Sequence, residues 1–180
     1  MKKIPVSSPK KIKKAIPYLA SKIHITITVN GDSVYLEGNE VMEFLAEKII
    51  QAIDFGFDPE DALLLKNETF SLEFINIKDH THRQNLVDIR SRIVGTEGKA
   101  KQTIQTLTGA VIVLHGNRVG VIVDAEHVSQ TIQAIISLIQ GSKHGNVFAY
   151  LERQNANLRK FDREDLGLRD PQKDVEYMDD

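Results

Sequence analysis

The apolar residues of this chain change their spacing along the sequence, and each change predicts a different element. From Ile23 to Val29 every second residue is apolar, which is typical of a half-buried strand. Asn30-Gly31 follows and predicts a hairpin turn, with Val34 to Leu36 as the returning strand. From Asn39 to Ile53 the apolar residues recur at helical spacing. This part of the chain is therefore predicted to be strand, strand, helix.

The same order returns about 85 residues later, which indicates an internal repeat. In the second copy a strand and a helix precede the hairpin. The predicted elements of this copy are a strand from Phe70 to Ile77, a helix from Asn85 to Val94, strands from Val111 to Leu114 and from Val119 to Val123 around the turn Gly116-Asn117, and a helix from Ala125 to Ile139.

Two glycines, Gly95 and Gly98, separate the helix that ends at Val94 from a second helical run, Gln102 to Leu107. Glycine has no Cβ, so this turn can adopt unusual dihedral angles and let another backbone come close. The first amide groups of the second helix, together with its dipole, favour an anion such as a phosphate. Strand, helix, GxxG, helix, strand, strand, helix is the order of a type I K-homology (KH) domain, whose loop clamps about four nucleotides of single-stranded RNA.

The first copy lacks this loop. The stretch between the short strand Lys3 to Val6 and the strand at Ile23 contains no glycine and is too short for two helices and a loop. Ser8-Pro9 resembles a helix start, and Pro17 is expected to interrupt that helix. The first copy is therefore predicted to be a packing or protein-contact module.

These patterns predict an α+β fold of two tandem type I KH domains, the first degenerate, each with a three-stranded sheet packed with helices, followed by a C-terminal helix. The predicted division is 1–56 for the degenerate KH domain, 57–66 for a linker helix, 67–142 for the KH domain with the GxxG loop, 143–162 for the C-terminal helix and 163–180 for an acidic tail.

Charged residues are distributed unevenly, with bases near the start of the chain and acids near its end. The formal net charge is -2, but the last twenty residues hold eight acids and three bases, so the rest of the chain is slightly basic. Residues 2–14 contain six lysines and no acid, which fits either an electrostatic contact with RNA or a solvated helix face. The absence of cysteine excludes disulfides, and no apolar run approaches membrane-spanning length, so we predict a soluble cytoplasmic protein that does not bind membranes.

No residue set in the sequence supports catalysis. The run from Gly95 to Ala100 resembles a phosphate-binding P-loop, but that loop needs four residues between its glycines and a Ser or Thr after the lysine. Asp79-His80-Thr81-His82 could be a metal cluster, although two imidazoles and one carboxylate in a loop are more often a polar turn. We therefore predict no enzymatic activity, no metal and no cofactor.

The candidate RNA-binding residues surround the two glycines. The apolar ones are expected to line a groove for the bases. The basic ones are expected to attract phosphates and so to offset the repulsion of phosphates by Glu97 in the loop. The full set is Arg90, Arg92, Ile93, Val94, Gly95, Thr96, Glu97, Gly98, Lys99, Lys101, Ile104 and Ile112, with Arg153 from the C-terminal helix.

Several segments together carry a family resemblance. They are Gly56 to Leu65, Arg92 to Gly98, Leu107-Thr108-Gly109, His144 to Val147 and Leu151-Glu152-Arg153. Between roughly Ile23 and Lys160 the chain resembles the archaeal Partner-of-Nob-One (Dim-two-like) KH-repeat proteins, although a glycine loop, usual in the family's first repeat, is missing here.

This resemblance implies a factor of small ribosomal subunit biogenesis. Such a factor binds the 3′ region of small-subunit pre-rRNA and presents it to the Nob endonuclease, and the alpha subunit of translation initiation factor two is a further partner that the resemblance implies. The alternative is an exosome-cap-like or general RNA-chaperone KH protein, although no run of strands predicts the additional barrel that an exosome cap subunit would carry.

Overall fold

The structure is a computed structural model that describes the backbone of residues 1–165 and the side chains of residues 1–160. Two three-stranded antiparallel sheets and seven α-helices make up this part of the chain. The strands are β1 Lys2–Pro5, β2 Thr26–Asn30, β3 Ser33–Glu37, β4 Phe70–Asn76, β5 Val111–His115 and β6 Arg118–Asp124. The helices are α1 Pro9–Ala20, α2 Glu40–Phe55, α3 Pro59–Ala62, α4 Leu86–Val94, α5 Lys99–Thr108, α6 Val128–Gln140 and α7 His144–Asp165.

The first unit has a single helix where a complete type I KH domain has two. Its sheet has the order β1-β3-β2, and α1 alone connects β1 to β2. Val34 and Leu36 of β3 point into the core with Ile4 and Ile27 of the neighbouring strands, while the alternate residues face outward. The prediction of a degenerate first KH domain without GxxG is confirmed.

Two local predictions for the first unit are wrong. Pro17 lies inside α1 and does not end it, because Ile12, Ala15 and Leu19 are buried and hold the helix by packing while the proline ring is exposed. The second strand begins at Thr26, three residues later than predicted. Ile23 donates its amide to Leu19 and so closes a further helical turn.

The second unit has the complete type I KH order. Its sheet is β4-β6-β5, and α4, α5 and α6 pack against one face of it. Helix α6 begins at Val128 and not at Ala125. The reason is a turn in which Asp124 accepts hydrogen bonds from the amides of Glu126 and His127 through its side chain and its carbonyl.

Strand β6 joins the two units because both of its faces are buried. Val119, Val121 and Val123 belong to the core beneath the helices of the second unit, whereas Ile122 belongs to the core of the first. A Cβ at Gly120 would lie 2.6 Å from the ring of Phe55 at the end of α2. Helix α2 therefore lies between the two sheets and covers the outer face of the second.

The remaining elements connect the two units and extend the helix layer of the second unit. Helix α3 and the 3-10 turn Leu63–Lys66 connect the units. Helix α7 packs on α5 and α6 through the buried Val147 and Leu151. It continues to Asp165, and the rest of the predicted acidic tail, residues 166–180, lies outside the described residues. No helix within residues 1–165 is both long enough and apolar enough to cross a membrane.

Candidate nucleic-acid interface

The turn between α4 and α5 adopts backbone angles that most residues avoid. Gly95 has φ 75° and ψ 174°, and Gly98 has φ 77° and ψ 5°. A Cβ on Gly95 would lie 2.5 Å from the Cβ of Ala100 and 2.7 Å from its amide nitrogen, so the first turn of α5 packs directly on this glycine. A Cβ on Gly98 would meet no atom within 4 Å. Gly95 therefore holds the turn in place, and Gly98 leaves open space before the start of α5.

Glu97 stands at the tip of this turn and is the only non-glycine residue with positive φ, at 54°, among residues 1–165. Its carboxylate pairs with the ammonium of Lys99 at 3.1 Å, and both side chains are about three-quarters exposed. A phosphate approaching the turn would meet this acid and would compete with it for Lys99. Thr96 is also exposed. The exposed ion pair therefore screens part of the positive charge near the loop.

Arg90 and Arg92 are engaged with the protein backbone. Arg92 donates from Nη2 to the carbonyl of Ser142 at 2.7 Å, beyond the end of α6. Arg90 donates from Nη1 to the carbonyl of Gly116 at 3.1 Å, in the turn between β5 and β6. Both guanidinium groups thus position α4, and direct contact of either with RNA remains a prediction.

His144 is a supporting residue that was not among the candidates. Its Nε2 donates to the carbonyl of Arg92 at 2.8 Å, one of the last carbonyls of α4, which have no partner within the helix. Arg92 in turn holds the end of α6, so the end of α4 is fixed to α6 and α7 just before Gly95. The sequence showed His144 only as part of the family-like segment His144 to Val147.

The side chains of three predicted groove residues are buried. Ile93, Ile104 and Ile112 are at most 1% exposed and belong to the core of the second unit. Packing of α4 and α5 on the sheet covers them in this structure, and their contact with RNA bases remains a prediction. Val94 is half-buried.

Two polar side chains of α5, Lys101 and Gln105, are partly buried. The ammonium of Lys101 donates to the carbonyl of Ile112 at 3.3 Å, so Ile112 takes part through its backbone. One helical turn further along α5, the side-chain oxygen of Gln105 is buried without a hydrogen-bond partner among the described residues. Gln105 was also missed by the sequence, since periodicity shows a buried face and not an unpaired atom.

Arg153 lies on the exposed side of α7, and its Nε donates to the carbonyl of Ala149 in the same helix at 3.4 Å. No hydrogen bond or ion pair between described residues connects it to the Gly95–Gly98 turn. Its contact with RNA remains a prediction.

Two groups of carboxylates in the second unit take part in turns. Asp79 accepts from the side-chain amide of Asn76 at 2.8 Å, which makes it part of a polar turn. The metal-binding atoms of Asp124, Glu126 and His127 lie within 4.8 Å of one another. Asp124 there accepts from the amide of Glu126 at 2.8 Å and contacts Nδ1 of His127 at 3.2 Å, as expected of a turn that precedes a helix.

Comparisons with known proteins agree with this geometry. A family model for the second KH domain of PNO1, described as a eukaryotic-type KH domain (KH-domain type I), matches residues 71–156. A KH domain-containing protein of Methanocaldococcus jannaschii is 32% identical over 136 residues, 75% of this chain. The pre-rRNA-processing protein PNO1 of Chaetomium thermophilum is 34% identical over 122 residues, 64% of this chain. This chain covers 59% of the length of the first relative and 46% of the second.

The fold is also found in solved structures. A chain of the a/eIF2alpha-aDim2p-rRNA complex from Pyrococcus horikoshii superimposes with a TM-score of 0.76 and is 27% identical. The superposition covers 87% of this chain and 94% of that one. Both KH units are therefore part of the shared architecture.

Proposed function

Because the chain belongs to the PNO1/Dim2-like KH proteins, we propose that it binds single-stranded RNA at the Gly95–Gly98 turn during small-subunit rRNA processing. The observation that carries this proposal is the open space beside Gly98, at the start of a ten-residue helix. The amide of Lys99 donates to the carbonyl of Thr96 in the preceding turn, so the amides of Ala100 and Lys101 are the first ones of α5 without a partner within the helix. A phosphate bound there meets both these amides and the positive end of the helix dipole.

The groups beside the turn can hold the rest of a short strand. Lys99 and Lys101 supply positive charge on either side of the first turn of α5. Lys101 lies along α5, where the nucleotides that follow the clamped phosphates would pass. These contacts are electrostatic and bind the RNA backbone without reading its bases.

We propose further that the RNA is the 3′ region of small-subunit pre-rRNA and that the protein presents it to the Nob endonuclease without chemistry of its own. The relatives named PNO1 are pre-rRNA-processing proteins, and the Pyrococcus horikoshii complex contains rRNA together with a/eIF2alpha. We extend both partners to this chain. The proposed clamp is built from backbone amides, and the carboxylate of Glu97 within the turn is paired with Lys99.

The decisive test compares Gly98→Asp with Gly98→Asn. Both side chains fit, because a Cβ at this position meets nothing within 4 Å, and both residue types tolerate positive φ better than most. They differ by one negative charge close to the first amides of α5. We expect Gly98→Asp to weaken RNA binding by about tenfold or more and Gly98→Asn to weaken it much less, as measured by fluorescence anisotropy. Equal affinities for the two variants would contradict RNA binding at this turn.

The choice of RNA tests the narrower proposal. A fragment from the 3′ end of small-subunit pre-rRNA should bind more tightly than an unrelated single strand of the same length and base composition. Equal affinity would favour a general RNA-binding KH protein instead. The fragment would then be incubated with this protein alone, with the Nob endonuclease alone and with both, in magnesium or manganese. This protein should change cleavage of the fragment only in the mixture that contains the nuclease. Cleavage by this protein alone, abolished by substituting its own carboxylates, would refute the presenting role.

A further inference from the structure

Helix α1 of the degenerate unit has a charge pattern that its own stability does not explain. Lys10, Lys11, Lys13 and Lys14 are all exposed, and no carboxylate of the described residues forms an ion pair with any of them. The first acidic residue of the chain is Asp32. The lysines thus form one basic surface, the α1 lysine face, on the side of the helix that faces solvent.

The positions of these lysines are unfavourable for a helix. Lys10 and Lys14 are four residues apart and repel each other, as do the pairs three residues apart, Lys10 with Lys13 and Lys11 with Lys14. Lys10 and Lys11 also stand in the first turn, where the helix dipole disfavours positive charge. The one carboxylate at this end of the helix, that of Asp54, accepts from the amides of Ser7 and Ser8 and forms no ion pair with the lysines. Exposed positions in a helix accept neutral residues at no cost in packing. A cluster that violates these local rules is therefore best explained by a ligand that neutralises it.

The surroundings of the α1 lysine face favour a polyanion over a membrane. The apolar face of α1, made of Ile12, Ala15 and Leu19, is buried in the core of the first unit and is not available to enter a lipid surface. Tyr18 is the one large apolar side chain of α1 that is exposed, and it lies one helical turn beyond Lys14. Lysines beside an accessible aromatic ring are suited to single-stranded nucleic acid, which offers both phosphates and bases that stack.

We propose that the α1 lysine face binds the phosphate backbone of the same RNA that the Gly95–Gly98 turn clamps. This inference rests on the proposed function, because it takes the bound RNA as the polyanion. The turn lies on the helix-covered face of the second sheet, whereas α1 packs beside α2 on the other face. A helix layer and a sheet layer each measure about 10 Å, so the two surfaces are on the order of 20 Å apart. Only an RNA longer than the clamped segment can reach both.

This separation makes the inference testable with RNAs of two lengths. We would measure binding of strands of about 6 and about 30 nucleotides across a salt titration. The variant Lys10→Gln, Lys11→Gln, Lys13→Gln, Lys14→Gln removes the charge and keeps good helix formers. Replacing the same four lysines by arginine keeps the charge. A third variant, with Lys48, Lys66, Lys78 and Lys143 changed to glutamine, changes the net charge equally at other sites.

For the long RNA, each lost phosphate contact should reduce the slope of log affinity against log salt by about 0.7, so four contacts should reduce it by roughly 3. We expect the α1 glutamine variant to show most of this loss, with affinity at low salt at least about tenfold weaker. The arginine variant should behave as the unsubstituted protein, and all variants should bind the short RNA equally. Because the lysines repel one another, the glutamine variant should also melt no lower than the unsubstituted protein.

Two outcomes would overturn the inference. One is a loss of slope no larger in the α1 variant than in the scattered variant, which would leave only a general effect of net charge. The other is an equal loss for the short RNA, which would assign the effect to the loop. The proposed function fails separately, through unchanged binding of the short RNA by Gly98→Asp.

Discussion

The two glycines of the turn between α4 and α5 should differ sharply in their tolerance of alanine. At Gly98 the added methyl group meets nothing within 4 Å, so the cost comes from φ 77° alone. The left-handed conformation costs an alanine roughly 1–2 kcal/mol, and the stiffer unfolded chain returns about 0.4–1 kcal/mol. We therefore expect Gly98→Ala to lower the free energy of unfolding by about 1 kcal/mol, or the melting temperature by about 2–4 °C.

Gly95→Ala adds a steric cost to the conformational one. Gly95 has φ 75° and ψ 174°, a region that is essentially restricted to glycine and costs other residues about 1–3 kcal/mol. The new Cβ would also lie 2.7 Å from the amide nitrogen of Ala100, which is backbone and cannot rotate away. Overlaps of this kind typically cost about 1–3 kcal/mol. We expect a loss of about 2–5 kcal/mol, which is at least twice the effect of Gly98→Ala.

Thermal unfolding followed by circular dichroism, with a urea titration as a second measure, separates the two cases. The double variant Gly95→Ala, Ala100→Gly is the control, since it removes the Cβ contact at 2.5 Å and keeps the backbone contact. It should recover part of the lost stability. Equal melting temperatures for Gly95→Ala and Gly98→Ala would refute the close approach of α5 to Gly95 on which the geometry of the turn depends.

Three further substitutions test separate features. Glu97→Asn keeps a residue type that tolerates φ 54° and frees Lys99 from its ion pair, so RNA affinity should rise severalfold in anisotropy measurements, and more at low salt. An unchanged affinity would mean that Glu97 does not oppose the RNA. Phe57→Ala removes a fully buried ring between the units and should lower the free energy of unfolding by about 3–5 kcal/mol in urea titrations, and a loss below about 1 kcal/mol would contradict that packing. Burial, with Asp58 and Glu60 nearby, raises the pKa of Asp61. The folded protein therefore binds the proton of this carboxyl more tightly than the unfolded chain does, and the stability that the carboxyl contributes falls as pH rises through its titration range. Asp61→Asn should therefore raise the melting temperature near neutral pH, with the gain disappearing toward about pH 3, where the carboxyl is protonated in both states; an equal gain at both pH values would exclude the carboxyl as its source.

Periodicity predicted most elements of the fold because each strand or helix buries one continuous face. The alternation from Ile23 to Val29 and the helical spacing from Asn39 to Ile53 both correspond to observed elements, with ends displaced by a few residues. The displaced ends have local causes that periodicity does not contain, such as the turn at Asp124 before α6. The predicted interruption of α1 at Pro17 does not occur. Proline disfavours a helix interior, but the packing of Ile12 and Leu19 outweighs that cost.

The site was only partly predictable for a different reason. A GxxG spacing identifies the turn, because the two glycines are required by its backbone angles. Spacing does not show whether a neighbouring side chain points to the ligand or to the protein. Arg92 and Ile104 were both expected at the RNA surface, yet one holds the end of α6 and the other is in the core. His144 and Gln105 were missed because their roles depend on partners that packing brings together, or on an atom that packing leaves unpaired.

The arrangement of the two sheets explains why a KH unit without its loop is still needed. The run Val119-Gly120-Val121-Ile122-Val123 is apolar on both faces, whereas a KH sheet exposed to water on one side would alternate. Helix α2 and Phe57 cover the face that the KH helices leave open, so Ile122 becomes part of the first unit's core. Cutting the chain between the units would expose this face and remove the support of β6, on which α4 and α5 pack. The first unit therefore acts on RNA binding in two ways: it stabilises the sheet beneath the clamp, and through the α1 lysine face it offers a second surface for the RNA.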